Sequence, residues 1–251
     1  MRPAILLLLT LTASLGPMPS VSTTTGEELS LDQILDRAYQ REEAFHEHLK
    51  DYICQVTSIV REPQKDGIAK TLSIVEKTVY RKLPDKRLEK YNAIIKEGLE
   101  LSPQEVAERQ KNHQTITLGR GRSFFGPEGR ANYTYELMPP DTIRGVPAHV
   151  LRIKPNKKEK DLVDGKLWLH QDNFEVLRLH FRPAKNPRFV KSATAIFEFD
   201  EVQPGLWLPS KVNIDARAGF LFINKNRTVD ETWRDYQINV GLSDSLFAEK
   251  Q

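Results

Sequence analysis

SATAIFEFDEVQPGLWLPSKVNIDA, residues 192–216, decides how this chain folds. Two runs rich in aliphatic and aromatic residues flank Pro204 and Gly205. So short a break joins antiparallel neighbours, because parallel strands need a crossover of about a dozen residues. Side chains alternate along an extended chain, so Ala193, Ala195, Phe197 and Phe199 share one face while Thr194, Glu198 and Asp200 share the other with Ile196. One face is apolar and the other mostly wet. The same alternation sets Leu177, Leu179 and Phe181 against Arg178, His180 and Arg182, and Phe220 and Phe222 against Leu221 and Ile223.

Outward from this stretch, strand-like segments near 132–138, 146–154, 165–171, 174–182, 192–202, 207–216, 218–224 and 227–239 follow one another with turn-like breaks. Upstream, 52–61 and 70–83 read as strands joined by a turn over residues 64–67. Leu31, Ile34, Leu35, Ala38, Phe45, Leu49 and Tyr52 recur at three to four residues with charges between them, which predicts an amphipathic helix over 31–52 with Ser30 as its N-cap. Ser102, Pro103 and Glu105 stand in capping-box register and predict a second, short helix ending near His113. Residues 119–129, dense in glycine and arginine, read as a loop. The expected class is mainly β (α+β): one strongly curved antiparallel sheet with its helices on the concave face. No repeat at a fixed period points to a propeller or solenoid.

Met1 and Arg2 precede an apolar run from Ala4 to Leu15, followed by Gly16, Pro17, Pro19 and small residues to Ser22. We expect a signal peptide over 1–22, cleaved near Ser22, since the run falls short of the roughly 20 residues of a spanning helix. Residues 23–251 are then expected to be a single exported domain. The lone Cys54 alternates in phase with Tyr52 and Val56 and reads as a buried small hydrophobe. A formal charge of +3, with lysines and arginines interleaved among acids, argues against nucleic acid as a partner.

Candidate chemistry is sparse. His46 and His48 lie two apart on a helix and so face different ways, whereas a zinc pair needs a spacing of four. His170 and Asp172 stand across a turn with no nucleophile motif beside them. No catalytic residues, metal site or cofactor are expected, and we read the chain as a non-enzyme. The Gly119 to Ser123 run lacks the Lys and Ser/Thr of a phosphate loop. It is most economically a plain loop; the alternative is a flap whose Arg120 and Arg122 meet an anionic headgroup. Lys154, Lys157, Lys158 and Lys160 mark a solvated hairpin tip, of which Lys157 and Lys158 are candidates for transient contact with a membrane surface.

An ordered series of landmarks resembles the bacterial outer-membrane lipoprotein-sorting family (LolA/LolB-like). It runs from Tyr133 to Leu137, through Gly145, Pro147 and Val150 to Pro155, then Gly165, Leu167, Trp168 and Leu169, then Phe174, Val176, Arg178 and Leu179. Gly205, Leu206, Trp207, Leu208 and Pro209 follow, and Trp233, Arg234, Asp235 and Tyr236 close it. The resemblance implies an unclosed barrel around an apolar cavity, lidded by helices, that holds acyl chains in the periplasm. On that reading the ligand is a lipid or the acyl chain of a lipoprotein, and the partner is an inner-membrane transporter. The alternative is an envelope-stress sensor or adaptor that binds an anti-sigma-factor ectodomain. Trp168, Leu177, Leu179, Phe197, Phe199, Phe220 and Phe222 are the cavity candidates, and a one-residue change of register would reverse their facing.

Overall fold

The structure, a computed structural model, describes residues 29–64, 67–111, 123–188, 190–220 and 223–248, with 220, 223 and 224 described by backbone alone. The expected signal peptide lies outside the described residues. Helix α1, Leu31–His48, begins at the N-cap expected at Ser30, which forms a capping box with Gln33: its Oγ accepts from the Gln33 amide at 3.3 Å, and Gln33 Oε1 accepts from the Ser30 amide at 2.8 Å. The helix stops at His48, short of 52, because Tyr52 is already paired within the first strand.

Eleven strands form one open antiparallel sheet: β1 Asp51–Pro63, β2 Ala69–Lys82, β3 Lys86–Lys96, β4 Leu99–Glu100, β5 Tyr133–Ile143, β6 Val146–Pro155, β7 Val163–His170, β8 Val176–Pro183, β9 Val190–Gln203, β10 Leu206–Phe220 and β11 Ile223–Ile238. The order is β4-β3-β2-β1-β11-β10-β9-β8-β7-β6-β5, so a meander is joined through its first and last long strands. It leaves two edges. One is the two-residue β4, and the other is β5, where Pro139 and Pro140 interrupt the ladder between Met138 and Asp141. Short or proline-bearing edges resist pairing with another chain. Register shifts in the β1–β2, β1–β11, β2–β3, β5–β6, β7–β8 and β9–β10 pairs add twist and bend the sheet into its unclosed barrel.

Three departures from the sequence reading have physical causes. Strand β3 was not expected, because its inward-facing residues include Arg87 and Glu89, which hide the apolar alternation. The segments 207–216, 218–224 and 227–239 are two long strands, paired down to Phe220 and Ile223. Pro127 and Glu128 start a six-residue helix, α3, Pro127–Asn132, within the stretch expected to be loop.

The remaining helix, α2, Pro103–Lys111, buries no residue. It is tied to β3 by Gln110, which donates to the Glu89 carbonyl at 2.8 Å and accepts from the Tyr91 amide at 2.7 Å. Its start is held by Ser102 Oγ and Glu105 Oε2, 2.8 Å apart. Ser102→Ala should therefore fray α2 and cost about 1 kcal/mol in urea unfolding.

The core lies mainly on one face. Ile34, Leu35 and Ala38 of α1 pack on Leu151, Ile153, Leu167, Leu169 and Phe181. The same face continues through Phe197 and Ile214 to Leu49, Tyr52, Cys54, Val56, Val79, Leu208, Val212 and Trp233. Cys54 is fully buried there, as its alternation foretold, and burial pushes its thiol up to about 12. A smaller cluster of Ile143, Ala148, Val150, Trp168 and Leu177 occupies the opposite face.

Candidate ligand cavity

The concave face is not filled throughout. Two lobes of about 230 and 280 Å³ share Phe124 and Phe199 in their linings, and the second lies under α1. Together they fall within the roughly 300–1,000 Å³ of small-molecule sites. The first lobe has Leu179, Phe181, Phe197, Phe199 and Pro209 along β8, β9 and β10, and Phe124, Gly129 and Tyr133 opposite. Phe181 and Phe197 stack with centroids 5.7 Å apart. A Cβ at Gly129 would lie 2.2 Å from the Phe124 carbonyl oxygen, so only glycine lets α3 pack this closely behind the Phe124 backbone. That carbonyl also accepts from the Tyr135 hydroxyl, which fixes the wall a second time. Polar atoms in this lobe come from Ser123, Glu128, Asn132 and Asp161.

The second lobe is lined by Ala38, Phe45 and His46 of α1, by Leu83 and Pro84, and by Phe125, Phe174, Val176 and Trp207. Charged groups line it too, and each acid has a partner. Arg41 pairs with Glu175 and donates to the Gly205 carbonyl, while the Ser123 hydroxyl donates to Glu42. Burial pushes the Glu42 carboxyl up against the opposing Ser123 hydrogen bond, and pushes Glu175 up despite the Arg41 guanidinium. Burial also pushes Arg81 down; one guanidinium nitrogen reaches the Pro84 carbonyl at 3.4 Å. Phe174 sits at a left-handed backbone position (φ 60°), which is uncommon for a bulky residue. Its ring stacks on His149 with centroids 5.7 Å apart, and Arg37 lies 5.4 Å from the ring centre. An apolar interior with charged groups along one lobe can accept an amphipathic molecule and exclude a fully polar one.

Of the sequence candidates, the structure brings Leu179, Phe197 and Phe199 together. Trp168 and Leu177 lie elsewhere. Trp168 alternates with the inward Leu167 and Leu169, and its indole N–H donates to Asp141 at 2.9 Å on the opposite face. Leu177 is the extra residue where the β7–β8 register shifts, so it turns away from Leu179 although the two stand two positions apart. The side chain of Phe220, and all of Phe222, Arg120 and Arg122, lie outside the described residues. Lys157 and Lys158 stand exposed in the β6–β7 connection, whose Asp161 and Leu162 reach the first lobe. Phe45, Phe124, Phe125 and Phe174 were not among the cavity candidates; the Phe124–Phe125 pair inside a polar, glycine-rich stretch was the available signal.

At the turn considered for catalysis, the Asp172 backbone amide, not its carboxylate, meets His170 Nδ1 at 3.1 Å. Among the described residues no three His, Cys, Asp or Glu side chains converge as metal ligands. No helix among them is long and apolar enough to cross a membrane.

An open, eleven-stranded antiparallel sheet curved around an apolar face that packs against α1 defines the chain as an unclosed-barrel protein. Residues 56–236 match the family of unknown function DUF5686, and the chain belongs to that family. No curated protein matches the chain. Among solved structures it is similar to a domain from Vibrio parahaemolyticus described as an outer membrane lipoprotein-sorting protein, at 16% identity and a TM-score of 0.49 over 85% of this chain and 95% of that one. It is also similar to a DUF1329 family protein from Desulfovibrio piger, at 14% identity and a TM-score of 0.47 over 87% and 98%. A LolA superfamily protein from Nitrosomonas europaea gives 14% and 0.45 over 88% and 98%.

Proposed function

We propose that this chain is a periplasmic binding or carrier protein that shelters the acyl chain of a lipid or acylated ligand in the two-lobed cavity. On this reading residues 1–22 are a cleaved signal peptide, 23–251 form one half-barrel domain, and the protein performs no catalysis. One observation carries the proposal: Leu179, Phe181, Phe197, Phe199 and Pro209 of β8, β9 and β10 line open space on the concave face, and Phe199 lines the second lobe under α1 as well. An acyl chain would take the place of water in these apolar lobes. Sheltering it from water is worth about 0.8 kcal/mol per methylene, on the order of 10 kcal/mol for a long chain. Measured against a bilayer the gain nearly vanishes, which is what reversible loading and unloading require.

A fatty acid bearing an environment-sensitive fluorophore should bind with one-to-one stoichiometry and a blue-shifted emission, and unlabelled oleate should displace it. Emission unchanged by the protein would sink the proposal.

A further inference from the structure

The antiparallel order sends alternate connections to opposite ends of the barrel. Glu62 pairs with Lys70, Ser73 with Lys96, Ile153 with Gly165 and Phe181 with Ala195, so the β1–β2, β3–β4, β6–β7 and β8–β9 connections share one end. The two ends differ in chemistry. At this one Ile68 and Leu99 stand 71% and 75% exposed, well above the third large exposed hydrophobic among the described residues, Val240 at 44%. In the β6–β7 and β8–β9 connections the exposed Lys157, Lys158, Lys160, Lys185 and Arg188 outnumber Glu159 and Asp161. The connections at the other end, 83–85, 144–145, 171–173 and 204–205, carry Asp85, Arg144 and Asp172. There Arg144 is already engaged by Glu198 at 3.0 Å and Asp200 at 2.5 Å.

Apolar tips and basic loops at one end of the barrel match the interface of a bilayer, where apolar side chains enter the headgroup boundary and each lysine near an anionic surface adds about fivefold to partitioning. We propose that this end of the barrel docks on a membrane containing anionic lipid, with Ile68 and Leu99 entering the interface and Lys157, Lys158 and Lys160 meeting lipid phosphates. Docking in this pose sets the first lobe at the bilayer, since Asp161 and Leu162 of the same connection line it. The use of the pose rests on the carrier reading, but the docking itself does not.

The test is co-sedimentation of the protein with vesicles of phosphatidylglycerol and phosphatidylethanolamine, against vesicles of phosphatidylcholine alone. Binding should favour the anionic vesicles and weaken steeply above about 0.1 M salt. Combined Lys157→Glu and Lys158→Glu should weaken it by about tenfold or more, and combined Ile68→Ser and Leu99→Ser should do the same. All four positions are exposed, and a circular dichroism spectrum and thermal unfolding transition like those of the wild type confirm that each variant is folded. Equal binding to both vesicle types, or indifference to both pairs of substitutions, would overturn the docking proposal while leaving the cavity reading intact. Vesicle binding without fatty-acid binding would support docking and remove the cavity reading instead.

Discussion

Phe199→Asp should weaken fatty-acid binding by about a hundredfold while the protein stays folded. Phe199 lines both lobes, so a carboxylate there stands in the path of any chain that spans them. An unpaired charge facing an acyl chain must either stay ionised in apolar surroundings or take up a proton, and both cost several kcal/mol, with about 1.4 kcal/mol to each factor of ten. The Phe199 side chain is half-buried, so the cost falls on the complex more than on the fold. Phe199→Ala, which removes the ring without adding charge, should retain binding within about tenfold. Titration with the fluorescent fatty acid, alongside thermal unfolding by circular dichroism, separates the two. Equal binding by wild type and the Asp variant would place the ligand elsewhere.

Lys77→Met should lower the free energy of unfolding by about 3–5 kcal/mol, the usual effect of removing one partner from a buried ion cluster. Lys77 Nζ lies 3.0 Å from both Glu89 Oε2 and Glu231 Oε1, and Arg87 bonds the other oxygen of Glu89 while its guanidinium lies 5.4 Å from the Trp233 ring centre. Two cations balance two carboxylates in a cluster where Lys77 and Glu89 are both buried. Without the lysine, Arg87 still bonds Glu89, but Glu231 loses its ion pair with Lys77. The cluster also sets a pH dependence. Burial raises the Glu89 pKa, but Lys77 and Arg87 outweigh it and hold the carboxyl below its ordinary 4.5. A folded pKa below the unfolded one gives stability that is present above about pH 4.5 and is lost as pH falls through the folded value. Loss of Lys77 raises that folded pKa, so acid unfolding of the variant should begin at higher pH. Urea unfolding between pH 3 and pH 7 would check both effects, and a variant as stable as wild type throughout would show that the cluster contributes nothing.

Most of the sheet was legible because one face is apolar and the other wet: Ala195, Phe197 and Phe199 of β9 fall together on the cavity side as their alternation requires. Strand β3 was not, because Arg87 and Glu89 occupy positions where the pattern asks for apolar residues, and their partners Lys77 and Glu231 are distant in sequence. Leu177 was misplaced for another reason. A single bulged residue inverts the alternation downstream of it, and nothing in the local sequence announces the bulge. The cavity itself could be anticipated only in outline. Leu179, Phe197 and Phe199 read as one face, whereas Phe124 and Phe174 reach it from a short helix-bearing connection and a turn, whose side-chain directions follow no period.

The central claim, an acyl chain held in the concave cavity, is tested most directly by native mass spectrometry of the protein purified without detergent from cells that make it, followed by solvent extraction of what it carries. The account predicts a stoichiometric adduct that yields a fatty acid, phospholipid or acylated peptide, and that Phe199→Asp loses. A protein that arrives empty and also fails to take up oleate would contradict it and leave the concave face as an imperfectly filled core.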